Sequence, residues 1–154
     1  MGIIDKPITG HEIKVNITSP YSALVDFYFA FNTQNFQLME KNWANTMEAS
    51  MSNPLGGIKR GWGEIKDVYQ KIVNGPAKVY VEFYEYSICE SADMFVAVGR
   101  EKGTLEANGQ IIELSIRTSR TYQRINKDWK QIHHHGSMDN PKLLALYQNT
   151  LTNK

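Results

Sequence analysis

The chain predicts an α+β fold in which N-terminal helices pack on one face of a curved antiparallel sheet. Three observations carry this. Up to Gly75-Pro76 the apolar residues recur at helical spacing. From Lys78 onward the chain is rich in Val, Tyr and Phe, as strands are. Asn108-Gly109 and the turn from Ile125 to Asp128 divide this second half into strands that can pair with their neighbours. Helices in one block and strands in the next favour an α+β arrangement over alternating parallel units.

The elements follow in order. Residues 1–18 form a weakly patterned leader. Ser19-Pro20 opens a helix, with Ser as N-cap and Pro as first helical residue. Leu24, Phe27, Tyr28 and Phe31 line its apolar face. Asn32 to Asn35 turns the chain. Phe36, Met39, Trp43 and Met47 stripe a second helix. Ala49 to Arg60 is irregular, and its Asn53-Pro54 and Gly56-Gly57 turns suit a short hairpin. Trp62, Ile65, Val68, Tyr69, Ile72 and Val73 give a third helix, stopped by Gly75-Pro76. Strands are expected over 78–88, 94–105, 111–124 and 129–137. Asn140-Pro141 caps a last helix carrying Leu143, Leu144, Tyr147 and Leu151. At 154 residues this is one domain, 1–154, with its core at about 20–138 and the terminal helix at about 140–151.

Composition narrows the partners. With 17 basic and 16 acidic residues the chain has no charge excess to attract nucleic acid or a membrane surface. A single cysteine, Cys89, excludes an internal disulfide and a cysteine-based zinc site. A reducing, cytoplasmic location is the expectation. The first residues do not read as a secretory signal, and no stretch is long enough to span a bilayer.

The segment Trp129-Lys130-Gln131-Ile132-His133-His134-His135-Gly136-Ser137 holds three of the four histidines. On a strand, side chains alternate faces, so His133 and His135 share one face and His134 takes the other. Paired imidazoles can titrate near neutral pH, bind an anion or ligate a metal. The pair supplies only two ligands, so no metal and no cofactor are expected. Arg117 and Arg120 lie an odd number apart and take opposite faces unless a bulge intervenes. Each of these residues also has a plain structural reading: packed histidines, surface ion pairs and, for Trp43 and Trp62, core.

The order of elements resembles the cone-shaped family of SnoaL-like polyketide cyclases, ketosteroid isomerases, nuclear transport factor and the association domain of calmodulin-dependent kinase. The local matches are Tyr28-Phe29-Ala30-Phe31-Asn32, Asn53-Pro54-Leu55-Gly56 before Gly61-Trp62, and Arg120-Thr121-Tyr122 through Trp129 to Ser137. The resemblance covers roughly residues 20–138 and looks closest to the bacterial SnoaL-like group and the kinase association domain. It implies a conical pocket between sheet and helices, and a dimer through the outer sheet face. The site residues expected are His133 and His135 as catalytic residues, with Arg120, Asn53, Tyr28, Trp62 and Arg117 as ligand contacts.

Asn53 stands where the ketosteroid isomerases carry their aspartate base, and an amide cannot take that proton. The family tyrosine falls at Phe27, with Tyr28 one residue away. A histidine is therefore the expected base. The function expected is a cofactor-free isomerase, cyclase or lyase acting on a carbonyl-containing or anionic small molecule. The other reading is a non-catalytic ligand-binding or oligomerisation module. Arg120 is expected to clamp an anion, an aromatic or polyketide-like acid, more tightly as pH falls. A homodimer is expected because Tyr80, Phe83, Tyr84, Tyr86, Phe95 and Tyr122 are too many for one small cone.

Overall fold

A computed structural model describes residues 2–152. Four helices, α1 (Pro20–Asn32), α2 (Phe36–Asn42), α3 (Gly61–Asn74) and α4 (Pro141–Thr152), accompany six strands. These are β1 (Ser50–Ser52), β2 (Lys59–Arg60), β3 (Lys78–Glu90), β4 (Met94–Ala107), β5 (Gln110–Ile125) and β6 (Asp128–Ser137). The sheet order is β2-β1-β6-β5-β4-β3. The long strands β3 to β6 form the expected meander. The sheet as a whole is mixed, because β1 runs parallel to β6. The hairpin expected within 49–60 is present as β1 and β2, and it extends the sheet.

Local chemistry explains the element ends. Ser19 Oγ accepts from Ser22 N at 3.1 Å and caps α1. Asn108 and Gly109 both take positive φ, 53° and 74°, as a tight two-residue hairpin demands. Helix α2 is shorter than its apolar stripe suggested. It ends at Asn42; Trp43 turns back into the core in extended conformation, and Met47 is 82% exposed. The leader is more ordered than its pattern implied. Ile4 and Ile8 pair with Tyr86 and Phe83 and cover the free edge of β3.

Two bulges decide which side chains face inward. Between Tyr84 and Ser87 the β3–β4 register slips, with Glu85 at φ 48°. Val79, Val81 and Phe83 face the core, and after the slip so does Tyr86. Tyr86 therefore leaves the face it would have shared with Tyr80 and Tyr84. Between Thr121 and Tyr122 the β5–β6 register slips at Ile132. Trp129 and Gln131 face the core; beyond the slip it is His134 that turns inward, while His133 and His135 turn out.

Curvature follows from β4. Its inward row is Phe95, Ala97, Gly99, Glu101, Gly103, Leu105. A Cβ on Gly103 would lie 1.8 Å from the Tyr80 carbonyl oxygen, so only glycine allows β3 this close. The concave face receives α1 and α3. Phe83, Tyr86, Phe95 and Tyr122 all pack inside, each at most 1% exposed. The expectation that they would overflow the cone is corrected: only Tyr80 and Tyr84 stay on the outer face. No helix among the described residues is long and apolar enough to cross a membrane.

Candidate functional site

The concave face holds a partly open cavity of about 50 Å³. Its wall is mostly apolar, from residues such as Phe27, Val68, Leu114 and Ile116. The polar groups on it are Glu101, Arg120, His134, Tyr147, Asn53 and Tyr69.

Behind the wall lies a buried network. Arg120 and Glu101, 3% and 4% exposed, form an ion pair at 3.0 Å between Nη2 and Oε2. Tyr28 Oη donates to the same Oε2 at 2.6 Å. Arg120 Nε donates to Tyr28 Oη at 3.2 Å, and Nη1 to Gln131 Oε1 at 2.9 Å. Gln131 Nε2 donates to Asn42 Oδ1, which also accepts from Tyr122 Oη. Asn42 Nδ2 is anchored on Ala23 O. The guanidinium carbon sits 3.6 Å from the centre of the Phe27 ring. A buried charge needs such partners, because desolvating it alone is prohibitive.

Burial acts to lower the Arg120 pKa, but the field of Tyr28 and Glu101 outweighs it and the net shift is upward. The guanidinium is thus a fixed cation. Three of its five N–H groups are used by the network, leaving two. Glu101 Oε2 takes two donors; among the described residues no hydrogen bond reaches Oε1. Glu101 lines the cavity, so Oε1 is its free polar atom there.

His134 lies beside Arg120 across the β5–β6 ladder and beside Met51 on β1. Its Nδ1 lies 3.3 Å from Ser119 O. A carbonyl can only accept, so Nδ1 carries the proton and Nε2 keeps a lone pair. Burial, and then the Arg120 charge, hold the His134 pKa well below its usual 6.5. The ring is neutral at neutral pH.

The expected site residues divide by face. Arg120 and Asn53 line the cavity; Asn53 Oδ1 is spent on Leu55 N at 3.1 Å. Tyr28 serves the network from behind the wall. Trp62 stacks between Trp43 and Phe36 as core. Arg117 is on the outer face, paired with Asp139 at 3.0 Å. His133 is half-buried on that face, its Nδ1 2.7 Å from Ser50 Oγ, and His135 is exposed there. The Ile132 bulge is the reason: it reverses the alternation, so the inward histidine is His134. The balanced Arg120–Glu101 pair also removes the free cation on which an anion clamp depended. Sequence reasoning passed over Glu101 and His134. The signal for Glu101 was present: one charged residue between Gly99 and Gly103 in an otherwise apolar period-two row. Among the described residues no group of three or more His, Cys, Asp or Glu is placed to hold a metal.

Comparisons agree with this geometry at the level of the fold. A ketosteroid isomerase-like protein from Erwinia carotovora atroseptica superposes with a TM-score of 0.68 at 15% identity, over 84% of this chain and 100% of that one. A nuclear transport factor 2-like superfamily protein from Salmonella enterica gives 0.66 at 21% identity, over 75% and 84%. A candidate calcium/calmodulin-dependent protein kinase II association domain from Xanthomonas campestris gives 0.66 at 19%, over 91% and 99%. No curated protein matches the sequence. The family model described as the SnoaL-like domain matches residues 21–141, most of the chain and every element from α1 to β6, and on that match the chain belongs to the SnoaL-like domain family.

Proposed function

We propose that this protein binds a small carbonyl compound in the concave cavity and moves a proton on it, without a cofactor. The observation that carries the reading is the buried Arg120–Glu101 pair, with one carboxylate oxygen free toward an apolar cavity. Fold alone would not support it, since this architecture serves unrelated functions. In the proposed step Glu101 Oε1 takes a proton from the carbon next to the carbonyl. The electron pair moves onto the carbonyl oxygen, and a spare Arg120 N–H stabilises the enolate. On a β,γ-unsaturated carbonyl compound, return of the same proton to the γ-carbon brings the double bond into conjugation and completes an isomerisation, with no atom or electron gained or lost. His134 Nε2, a neutral acceptor, orients a ligand hydroxyl or relays the proton.

Size limits the ligand. A cavity of about 50 Å³ is roughly a third of the ~150 Å³ that admits benzene. The cavity is partly open, so a ring as small as cyclobutanone enters carbonyl-first with its far carbons at the mouth, whereas an aromatic or polyketide-like acid does not fit as it stands. Deuterium uptake by the α-carbons of cyclobutanone in D₂O, followed by proton NMR, tests the proposal. The protein should accelerate exchange, and Glu101→Gln should abolish the acceleration. Binding without exchange would favour the non-catalytic module.

Self-association through the outer sheet face remains part of the proposal on a narrower basis: Tyr80 and Val98 are exposed there and Tyr84 is half-buried. Light scattering at twice 17.6 kDa would support it, and a monomer would remove it.

A further inference from the structure

Helix α4 lies almost entirely beyond the residues matched to the family, which end at Pro141. Asn140 caps it, its Oδ1 accepting from Lys142 N and Leu143 N at 2.9 and 3.2 Å. Leu143, Leu144, Tyr147 and Leu151 recur at helical spacing and turn one face of α4 onto the core. Gln148 Nε2 donates to Pro54 O at 2.9 Å and ties α4 to the turn whose Asn53 and Pro54 line the cavity.

Tyr147 is the residue that α4 delivers. It is 8% exposed and lines the cavity. Among the described residues its hydroxyl makes no hydrogen bond, and it is not sealed from solvent, so it stays open to the cavity. Burial, and then the nearby Glu101 charge, raise its pKa above the ordinary 10, so it keeps its proton. An unpartnered phenol on a cavity wall that keeps its proton can donate to an acceptor on a ligand there.

We propose that Tyr147 is a ligand-contacting residue, its hydroxyl donating to the carbonyl oxygen of the bound molecule and its ring setting how long that molecule can be. The inference rests on the small-molecule reading of the cavity given above. It assigns to α4, outside the shared domain, the ligand specificity of this chain. The ligand class is a compact ketone or aldehyde whose oxygen sits between Tyr147 Oη and the spare Arg120 N–H groups.

Protein-observed NMR titrations of the full chain test this with three probes: cyclobutanone, its isosteric hydrocarbon methylenecyclobutane, and the larger acetophenone. Wild type should bind the two small probes and reject acetophenone. Tyr147→Phe should weaken cyclobutanone about three- to tenfold, the loss expected for one neutral hydrogen bond, and leave methylenecyclobutane unchanged. Tyr147→Ala should admit acetophenone. Equal effects of Tyr147→Phe on the two small probes, or none on either, would overturn the hydrogen-bond assignment. Rejection of acetophenone by a folded Tyr147→Ala would overturn the length-setting role. If wild type bound neither small probe, the reading of the cavity itself would fall, and this inference with it.

Discussion

Replacing Glu101 by Gln keeps the side chain's shape and removes its charge. Arg120 is 3% exposed and cannot lose its proton, so the variant leaves a cation buried without its counter-charge. The amide oxygen can still accept from Tyr28 Oη and Arg120 Nη2, so the loss is chiefly electrostatic. Breaking a buried pair from one side costs about 3–5 kcal/mol. For a chain of this length that corresponds to a fall in Tm of about 6–20 °C. Arg120→Gln should cost a similar amount, because Glu101 is then the stranded charge. The double variant strands neither charge, and two amides can hydrogen-bond each other. Urea denaturation of all four proteins gives the cycle. The double variant should be more stable than the sum of the singles predicts, by at least about 2 kcal/mol. Strict additivity would show that the pair is not coupled, and the buried network would lose its central element.

Stability should fall with acidity through His134. Its folded pKa lies below the unfolded value of about 6.5, so the unfolded chain takes the proton first as pH falls. The slope is at most about 1.4 kcal/mol per pH unit, running from about pH 6.5 down to the folded pKa. Denaturation between pH 5 and 7 should show it (the range is set at about these values by the unfolded histidine). His134→Gln should flatten that slope, while His133→Gln, shifted in the same direction but only half-buried, should leave most of it. Gly103→Ala should cost at least about 3 kcal/mol or prevent folding, because the new methyl meets the Tyr80 carbonyl at 1.8 Å; a normal melting curve would contradict the account of the sheet's bend. Thr118 Oγ1 is buried without a partner, so Thr118→Val should be neutral or stabilising by about 1–3 kcal/mol, and a clear loss on calorimetry would reveal a partner for it.

The fold was legible in the sequence because its signals are local. Ser19-Pro20, Asn108-Gly109 and Asn140-Pro141 act through their own backbone, and each marks an element boundary in the structure. The failures share a different cause. Trp43 and Met47 continue a helical stripe that ends at Asn42, because Trp43 finds its packing against Trp62 and Tyr69 outside the helix. The faces of Tyr86 and of the three histidines depend on bulges, and a bulge is set by the partner strand as much as by its own residues. Ile132 looks like any β-branched strand residue, yet its extra place in β6 exchanges His133 and His135 for His134. Glu101 is the instructive omission: its flanking glycines marked a special position, but the acid itself reads as one more solvated charge until β4 and β5 are paired. The leader's pairing to β3 has no local signature at all, since Ile4 and Ile8 meet residues about eighty positions away.

The central claim is that ligands enter the concave cavity and leave the outer face alone. Amide and side-chain shifts of isotopically labelled protein during a cyclobutanone titration test it most directly. The shifts should concentrate on Glu101, Arg120, His134 and Tyr147, with those of Arg117, His133 and His135 unmoved. Shifts clustered on Arg117, His133 and His135, with the cavity residues silent, would place the site on the wrong side of the sheet and contradict the account.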